Sequence, residues 1–475
     1  MCGIVGYIGD NATNNAIEGL KSLEYRGYDS AGISFMRDGY APFVIKSKGR
    51  ISSLEAKMKA YNTDAPIAVA HTRWSTCGSP SEINAHPHVA GNIAIVHNGI
   101  IENYLELKTW LKDFAARTPI SETDTEIIAH LIDVSVGDCL YDKVREAVKK
   151  LEGSYGLAVI SSDDPDTIIV ARKKSPLVVG IFEDGAIVAS DIHAVLPYTN
   201  KVYILDDREV AIVKKNYISI RKDYGNPITE IECKPIEISW SLAETSKGDF
   251  STFMDKEIHE QPVAIYDTMI KNNWGSVASG LHDIFKQNKI TNVILTACGT
   301  SLHACMVGAM MFETTAQIRS CAKLASELEP SSTMVNQNDL VVAVSQSGET
   351  ADTLQAIRYA KKRGAKVVSI VNTMGSSIER ESDFTIHMAA GQEISVASTK
   401  AFVAQLTALS IVAVAIYGIR RGSANAEKIF SDVQKWLYRC ADEMDFIFKQ
   451  EDNIKEIAEE LSSAKSILYL GILAE

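Results

Sequence analysis

The sequence lacks the features that mark several large classes of protein. Its eight cysteines lie at positions 2, 77, 139, 233, 298, 305, 321 and 440, with no C-x-x-C pair and no cysteine and histidine spacing of a zinc site. Cysteines scattered in this way indicate reduced thiols, and we expect a cytoplasmic protein. The first residues also lack the basic and long apolar stretches of a secretory signal.

Positive charge and long apolar runs are scarce as well. Lysine and arginine number 48 against 60 acidic residues, a net charge of −12, and no basic run is interleaved with aromatic residues. This balance is wrong for binding a phosphate backbone, so nucleic acid is not an expected partner. The stretch Ala401–Ile419 is nearly long enough to span a bilayer, but polar residues interrupt it. We expect a buried helix there and no membrane, with a membrane span as the less favoured alternative.

What the chain does contain is enough apolar sequence for two or three domains. It has 475 residues, of which 46% are hydrophobic. As far as about position 234, short apolar or alternating runs separated by Gly, Pro, Asp or Asn predict many strands. Helical patterns occur near Asn15–Leu23, Asp124–Asp133 and Tyr141–Leu151. Together they predict an α+β sandwich with helices on its faces.

The order of predicted strands and helices changes in the second half of the sequence. Residues from about 233 to 248 show no strong periodicity and are typical of a linker, and a helical pattern resumes at 254–270. Beyond it, continuous β-branched strands alternate with turns and helices, as in LVVAVSQSGE (340–349) followed by TADTLQAIRYAKKRG (350–364). This alternation predicts a parallel, doubly wound α/β sheet.

Two turns of the second half suit an anion. CGTS (298–301) and SQSGET (345–350) each follow an apolar strand and open a helix. Hydroxyls and backbone N–H groups at the start of a helix favour a phosphate. A single such turn is usually an ordinary helix cap, but two in consecutive strand and helix units favour a phosphate site. Neither is a G-x-x-x-x-G-K-[ST] or G-x-G-x-x-G pattern, so nucleotide binding has no support.

The first half offers a candidate nucleophile in Cys2. Removal of Met1 would place a thiol and a free α-amine on this one residue, so that nucleophile and general base sit together. A buried strand residue is the alternative, since free cysteine packs like a small hydrophobe. HNGI (97–100) offers the Asn98 amide and the Gly99 N–H as oxyanion donors. Asn-Gly is also a common hairpin turn, and that alternative stays open.

Opposite charges could hold a small amino-acid substrate beside that thiol. Arg73 in HTRWSTCG (71–78) suits a carboxylate, and Asp124 in SETDTE (121–126) suits an ammonium group. Asp124 could equally cap the helix that follows it.

These segments together resemble a known family. MCGIVGYIG (1–9), LEYRGYDSAG (23–32), HTRWST (71–76), HNGIIEN (97–103) and SETDTEIIAHLI (121–132) are similar to the glutamine amidotransferase domain with an N-terminal cysteine. ACGTS (297–301), SQSGETADTL (345–354) and EISVASTKAF (393–402) resemble the first sugar isomerase (SIS) domain of the glutamine:fructose-6-phosphate aminotransferases. The resemblance implies an αββα sandwich of the N-terminal nucleophile class, followed by a doubly wound SIS domain.

For the first domain, the resemblance implies glutamine hydrolysis. Cys2 would attack the glutamine amide, and Asn98 with Gly99 would hold the oxyanion. Arg73 and Asp124 would grip the amino-acid end of glutamine. Thr76 and Trp74 would line the pocket and the ammonia exit, and Arg26 would support the nucleophile strand.

For the second domain, the resemblance implies that ammonia reaches bound fructose 6-phosphate. The implied binding residues are Thr300, Ser301, Ser345, Gln346, Ser347 and Thr350, with Val396 and Ser398 nearby. The implied partners are L-glutamine, fructose 6-phosphate and a second copy in a homodimer, and no metal or organic cofactor is implied. We place the amidotransferase domain at 1–234, a linker at 235–253, the first SIS domain at 254–440 and the start of an incomplete second SIS domain at 441–475.

The sequence departs from the family pattern in two places. Cys77 stands where the family usually has histidine, and we expect it to alter glutamine affinity without loss of chemistry. The family carries two SIS domains in tandem, and we expect only the first strand of the second within SILYLGILAE (466–475). The residues that open and isomerise the sugar are therefore not assigned. A stand-alone glutaminase and a non-catalytic sugar-phosphate sensor remain as alternative functions.

Overall fold

The computed structural model describes residues 2–24, 28–37, 40–75, 78–222, 229–231, 234–238, 247–331 and 335–468. The chain divides into two compact units, Met1–Ser246 and Lys247–Glu475. The finer division into an amidotransferase domain, a linker and two SIS segments stays a prediction. Met1, Arg26, Thr76, Cys77 and most of the 466–475 segment lie outside the described residues.

The first unit alternates short strands with a few helices. Its helices are α1 Ala12–Ser22, α2 Ile51–Met58, α3 Tyr104–Ala115, α4 Asp124–Val134 and α5 Leu140–Val148, with a 3₁₀ turn at Ile192–Ala194. Its strands are β1 Gly3–Gly9, β2 Ser30–Met36, β3 Phe43–Lys48, β4 Ile67–Arg73, β5 His88–Ala90, β6 Ile93–Ile101, β7 Gly153–Ser161, β8 Asp164–Lys173, β9 Val178–Phe182, β10 Gly185–Ala189, β11 Lys201–Ile204, β12 Glu209–Lys214, β13 Tyr217–Lys222, β14 Thr229–Ile231 and β15 Ile236–Glu237. The three predicted helices correspond to α1, α4 and α5.

These strands form two stacked antiparallel sheets. Among the described residues, the first sheet has the order β15-β11-β9-β10-β1-β4-β2-β3 and the second has β14-β13-β12-β8-β7-β6-β5. Apolar side chains that alternate along the central strands fill the space between the sheets, including Ile4, Val69, Val96 and Val170. Helices α1 and α2 cover the outer face of the first sheet, and α3 to α5 cover that of the second. The predicted αββα sandwich is therefore confirmed.

The second unit alternates strand and helix around a parallel sheet. Its helices are α6 Phe253–His259, α7 Gln261–Lys271, α8 Trp274–Gln287, α9 Thr300–Thr314, α10 Ala325–Ser331, α11 Ala351–Lys362, α12 Ser377–Glu381, α13 Lys400–Arg421, α14 Ser423–Phe448 and α15 Glu451–Leu461. Its strands are β16 Asn292–Ala297, β17 Arg319–Leu324, β18 Asp339–Ser345, β19 Lys366–Val371 and β20 Phe384–His387. They pair in the order β17-β16-β18-β19-β20, all parallel, as predicted.

Helices cover both faces of this sheet. One apolar cluster joins α7, α8, α9, α13 and α14 to one face, and another joins α10, α11 and α12 to the other. Helix α13 contains the apolar stretch noted in the sequence and is, among the described residues, the helix long and apolar enough to cross a membrane. In the structure, 67% of its most apolar segment is buried inside the unit. A core helix of a doubly wound domain accounts for its composition.

The burial of α8 against this core gives a prediction for stability. Leu281 of α8 is fully buried, whereas Ile270 of α7 is 76% exposed. Leu281→Ala should lower the free energy of unfolding of the second unit by about 2–5 kcal/mol, because it removes buried methyl groups and leaves a cavity. Ile270→Ala is the matched control and should change it by less than about 0.5 kcal/mol. Urea unfolding measures both, and equal effects of the two substitutions would contradict the assignment of α8 to the core.

Candidate active site

The candidate nucleophile Cys2 is placed by the pairing of β1 with β4. Gly3 faces Thr72 in this pairing, which brings Cys2 beside the residue that follows β4. The Trp74 backbone N–H lies 3.2 Å from the Cys2 Sγ, and the Trp74 carbonyl oxygen lies 3.6 Å from it. A side chain at Gly3 would start 2.7 Å from the Thr72 hydroxyl, so this close approach requires glycine.

The candidate oxyanion donors come from the other sheet. The side-chain amide of Asn98, in β6, donates from Nδ2 to the Cys2 carbonyl oxygen at 3.2 Å. Gly99 follows it with φ of 134°, and a Cβ there would lie 2.2 Å from the Ser154 carbonyl oxygen. A side chain cannot be accommodated at this position. The Asn-Gly pair lies within the long strand β6, so the hairpin alternative is wrong.

Arg73 and Asp124, the candidate charge pair, are both buried. The Arg73 guanidinium, at the end of β4, donates to the Gly78 carbonyl oxygen at 3.0 Å and to the Ser75 hydroxyl at 3.3 Å. Asp124 is the first residue of α4, and its carboxylate accepts from the Ile101 N–H at 2.9 Å. The helix cap is the neighbouring Thr123, whose hydroxyl accepts from the Glu126 N–H. The alternative that Asp124 is the cap is therefore wrong.

A single small cavity joins the thiol to both charges. It has a volume of about 30 Å³, and its walls are Cys2, Arg73, Trp74, His86, His97, Gly99, Thr123, Asp124 and Thr125. Five of these residues were expected at the glutamine site from the sequence. The cavity thus presents a cation, an anion and a thiol to one small space, which suits a zwitterionic amino acid with a reactive side chain.

Several residues at this site were not anticipated from the sequence. His86, His97, Thr123 and Thr125 line the cavity. Glu122 lies outside it and accepts hydrogen bonds from the Ser79 N–H at 3.1 Å and from Asn84 Nδ2 at 2.8 Å. It therefore ties the loop that holds Arg73 to the loop that leads to Asp124. The only sequence signal for this group was the density of His, Ser and Thr around the recognised motifs.

Burial dominates the electrostatics around the cavity. Removal from water lowers the pKa values of His71, His86, His88 and His97, and that of His71 falls to about 3. The rings of His71 and His86 stack with their centroids 4.1 Å apart, and His86 and His88 pack edge to face. These histidines are neutral at neutral pH, so they act as fixed hydrogen-bonding groups.

The candidate sugar-phosphate residues lie on two turns at one edge of the parallel sheet. β16 and β18 are neighbours, and the helices that follow them pack on opposite faces. This is the topological switch point at which doubly wound sheets bind their ligands. Thr300 and Ser301 open α9 after the first strand, and Gly299 before them has φ of 56°.

The second turn is closed by its own serine. Ser345 ends β18 and is buried, and its hydroxyl accepts from the Gly348 N–H at 3.0 Å and lies 3.2 Å from the Thr350 hydroxyl. Gln346 and Ser347 lie on this turn and are half-buried, and Thr350 is the N-cap of α11. The six candidate residues of the two turns thus share the carboxyl-terminal edge of two adjacent strands.

The remaining two candidates lie in the loop before α13. Val396 is 87% exposed and Ser398 is half-buried. Glu257 of α6 accepts hydrogen bonds from the Ile394 and Ser395 N–H groups, and so holds this loop from outside. Helix α13 reaches the first turn directly, because Gln405 Nε2 donates to the Ser301 hydroxyl at 2.9 Å. Glu257 and Gln405 were not anticipated from the sequence.

Comparison with known proteins agrees with the division of the chain into the units Met1–Ser246 and Lys247–Glu475. The family described as "Glutamine amidotransferase domain" matches residues 71–197, and the SIS domain family matches residues 284–415. The C-terminal domain of glucosamine-fructose-6-phosphate aminotransferase from Francisella tularensis is 33% identical, with a TM-score of 0.42, over 46% of this chain and 61% of that one. The two family matches, together with the fold and the site, define a glutamine amidotransferase of the N-terminal nucleophile class joined to an SIS domain.

Two curated relatives identify the family. The glutamine--fructose-6-phosphate aminotransferase [isomerizing] of Caldanaerobacter subterraneus is 41% identical over 99% of this chain and 78% of its own length. The protein of the same name from Aquifex aeolicus is 42% identical over 99% of this chain and 77% of its own length. The chain belongs to the glutamine:fructose-6-phosphate aminotransferase family.

The buried histidines give a prediction that tests the electrostatics of the site. In the folded chain, His71, His86 and His88, three of its ten histidines, should stay neutral as the pH falls from about 7.5 to 5.5, because burial lowers their pKa values well below the usual range. The unfolded chain takes up those protons first, so stability should fall as the pH drops below about 6.5. NMR of chain with labelled histidine rings measures the titration, and His88→Gln assigns one signal. A His88 signal that titrates near 6.5 would contradict the burial.

Proposed function

We propose that this chain converts L-glutamine and D-fructose 6-phosphate into D-glucosamine 6-phosphate and L-glutamate. The observation that carries the proposal is the cavity in which the Cys2 thiol lies with the Arg73 guanidinium and the Asp124 carboxylate. The curated relatives with this named activity match 99% of the chain, which favours the complete reaction over a glutaminase alone. A sensor without catalysis is disfavoured, because Cys2, Gly99 and Asp124 all line this cavity.

In the first half of the reaction, Cys2 releases ammonia from glutamine. The thiolate attacks the side-chain amide carbon, and the C=O bond opens to an oxyanion that accepts from Asn98 Nδ2 and the Gly99 N–H. The α-amine of Cys2 passes the proton it took from the thiol to the amide nitrogen, and the tetrahedral intermediate collapses with loss of ammonia and leaves a γ-glutamyl thioester on Cys2. Water then cleaves the thioester to glutamate. After removal of Met1, the α-amine of Cys2 serves as the general base.

The charge pair selects glutamine by its amino-acid end. Arg73 holds the α-carboxylate and Asp124 the α-ammonium group, which leaves the amide directed at the thiol. Trp74, which is 54% exposed, forms part of the wall of this cavity. Thr76 and Arg26 keep the supporting roles inferred from the family resemblance.

In the second half, ammonia reacts with the sugar at the SIS domain. The turns before α9 and α11 bind the phosphate through backbone N–H groups at helix N-termini and through the hydroxyls of Thr300, Ser301, Ser345, Ser347 and Thr350. Gln346, Val396 and Ser398 complete this side of the site. Ammonia condenses with the C2 carbonyl of the ketose to give an imine and water. Isomerisation then moves two hydrogens from C1 and its hydroxyl to C2 and the nitrogen, which leaves an aldehyde at C1 and an amine at C2. We assign no residue to the isomerisation step.

The proposal also includes an oligomeric state, a cellular location and the absence of cofactors from the steps. The homodimer and the cytoplasmic location inferred from the sequence stay predictions. No metal ion or organic cofactor enters the proposed steps, since thiol, amine and amide groups suffice for the transfer of ammonia.

Substitutions in the two domains should separate the two half-reactions. Cys2→Ala should lower glutamate release by roughly 1,000-fold or more, because it removes the nucleophile. Ser347→Ala should leave glutamate release largely intact and lower the yield of amino sugar, because it weakens phosphate binding. Both products can be quantified by mass spectrometry with purified chain, glutamine and fructose 6-phosphate.

The matched control is Cys139→Ala, which removes an exposed thiol at the start of α5 and should leave both products unchanged. The proposal fails if Ser347→Ala abolishes glutamate release while Cys2→Ala does not.

A further inference from the structure

One buried histidine touches the proposed oxyanion donor and takes no part in the steps above. His71 lies in β4, two residues before Arg73, and its side chain is completely buried. Its Nε2 lies 3.0 Å from the His97 carbonyl oxygen and 3.0 Å from the Asn98 side-chain oxygen Oδ1. The histidine of one sheet thus contacts two consecutive residues of the other.

The backbone contact decides which ring nitrogen carries the proton. A carbonyl oxygen can only accept a hydrogen bond, so His71 Nε2 must be a donor. Burial lowers the pKa of His71 to about 3, so the ring is neutral and its other nitrogen, Nδ1, carries no proton. Nε2–H is therefore shared between the His97 carbonyl oxygen and Asn98 Oδ1.

This proton in turn decides the orientation of the Asn98 amide. Oδ1 must face the His71 N–H, and the NH₂ group must then face the Cys2 carbonyl oxygen, at 3.2 Å. The flipped amide would place its NH₂ against the His71 N–H and its oxygen against the Cys2 carbonyl oxygen. Both contacts would then be repulsive, so one rotamer is strongly preferred.

We propose that His71 is a positioning residue for glutamine hydrolysis, which fixes the Asn98 amide with its NH₂ group toward the developing oxyanion. The inference rests on the proposed function and assigns no contact between His71 and substrate. Asn98 donates one N–H of its amide to the Cys2 carbonyl oxygen. The contact of Oδ1 with His71 also fixes the direction of the second N–H, which we assign to the oxyanion. Without His71, the amide could present its oxygen to the oxyanion, which repels it.

The polar contacts described for the His71 ring are the two made by Nε2, with the His97 carbonyl oxygen and with Asn98 Oδ1. The His86 ring stacks on it, with 4.1 Å between the centroids. Within the described residues, His71 Nδ1 has no hydrogen-bond partner. The ring is therefore held by packing on its face and by the two Nε2 contacts. Loss of those contacts removes the orienting interaction, while the loop that carries Arg73 keeps its own hydrogen bonds to Ser75 and Gly78.

The test compares two substitutions in the full chain. His71→Leu removes the donor, and His71→Gln keeps an N–H at a similar reach from the backbone. His71→Leu should lower kcat for glutamine hydrolysis by roughly 10- to 100-fold, somewhat less than removal of an oxyanion donor itself. KM for glutamine should stay within about twofold, because Arg73 and Asp124 still hold the amino-acid end. His71→Gln should recover most of the lost kcat.

A second comparison, in a chain that already carries Asn98→Ala, separates a positioning role of His71 from general damage to the fold. In Asn98→Ala chain there is no amide to orient, so His71→Leu should change kcat by less than about twofold. The rate of Cys2 alkylation by iodoacetamide, which needs no oxyanion donor, should be the same in wild-type and His71→Leu chains. If His71→Leu does not fold, His71→Met, which also lacks the donor, takes its place in the same comparison with and without Asn98→Ala.

Each outcome decides between the alternatives. Equal loss of kcat from His71→Leu in the wild-type and Asn98→Ala backgrounds, or an increase confined to KM, would overturn the positioning role. Glutamine hydrolysis by wild-type chain is measured first. Its absence would overturn the proposed function, and the inference with it, before any variant is compared.

Discussion

The proposed glutamine site depends on a hydrogen bond between the two sheets of the first unit, from the Asn98 amide to the Cys2 carbonyl oxygen. Cys2 precedes β1 of the first sheet and Asn98 lies in β6 of the second, so neither sheet alone can form the site. The apolar layer between the sheets holds these strands together. The packing of that layer therefore sets the distance between nucleophile and oxyanion donor, which is the quantity that amide hydrolysis requires to be fixed.

The candidate site of the second unit has a different geometry, at the edge of a parallel sheet. Its ligand is expected to be an anion, and a parallel sheet places the ends of neighbouring strands and the starts of their helices along one edge. The turn at Ser345 is internally hydrogen-bonded, so its shape is preorganised before ligand binds. Gly348 adopts φ of 66° there, and a Cβ would lie 2.1 Å from the Ser376 hydroxyl. The glycine of SQSGET thus allows this turn to approach Ser376, the residue before α12.

Much of this architecture could be predicted from the sequence, because strand and helix periodicities are local. The α+β sandwich with helices on its faces, the parallel sheet and the candidate residues Cys2, Asn98, Arg73 and Asp124 were all predicted from short segments, and the αββα class was implied by the family resemblance. The elements that were not predicted include helices α2, α3 and α8 and the edge strand β17, which lacks the continuous apolar pattern of a central strand. The helical pattern at 254–270 is two helices, α6 and α7, with Pro262 in the first turn of the second.

The positioning residues could not be predicted in the same way. His71 and Asn98 are 27 positions apart and lie in different sheets, so their contact depends on how the sheets are stacked. Gln405 reaches Ser301 across 104 positions, and Glu257 reaches Ser395 across 138. No spacing rule connects such residues. The sequence therefore indicated the candidate reactive groups, whereas the structure was needed to find the groups that contact them.

The central claim is that Cys2 is the nucleophile of a glutamine-specific site. The most direct measurement is labelling of the purified chain with a glutamine analogue that carries a chloromethyl ketone in place of the amide, followed by peptide mass spectrometry. The thiolate displaces chloride and forms a thioether, so the account predicts one label, on Cys2, which excess L-glutamine prevents. Labelling of another cysteine in preference to Cys2, or labelling that glutamine does not prevent, would contradict it.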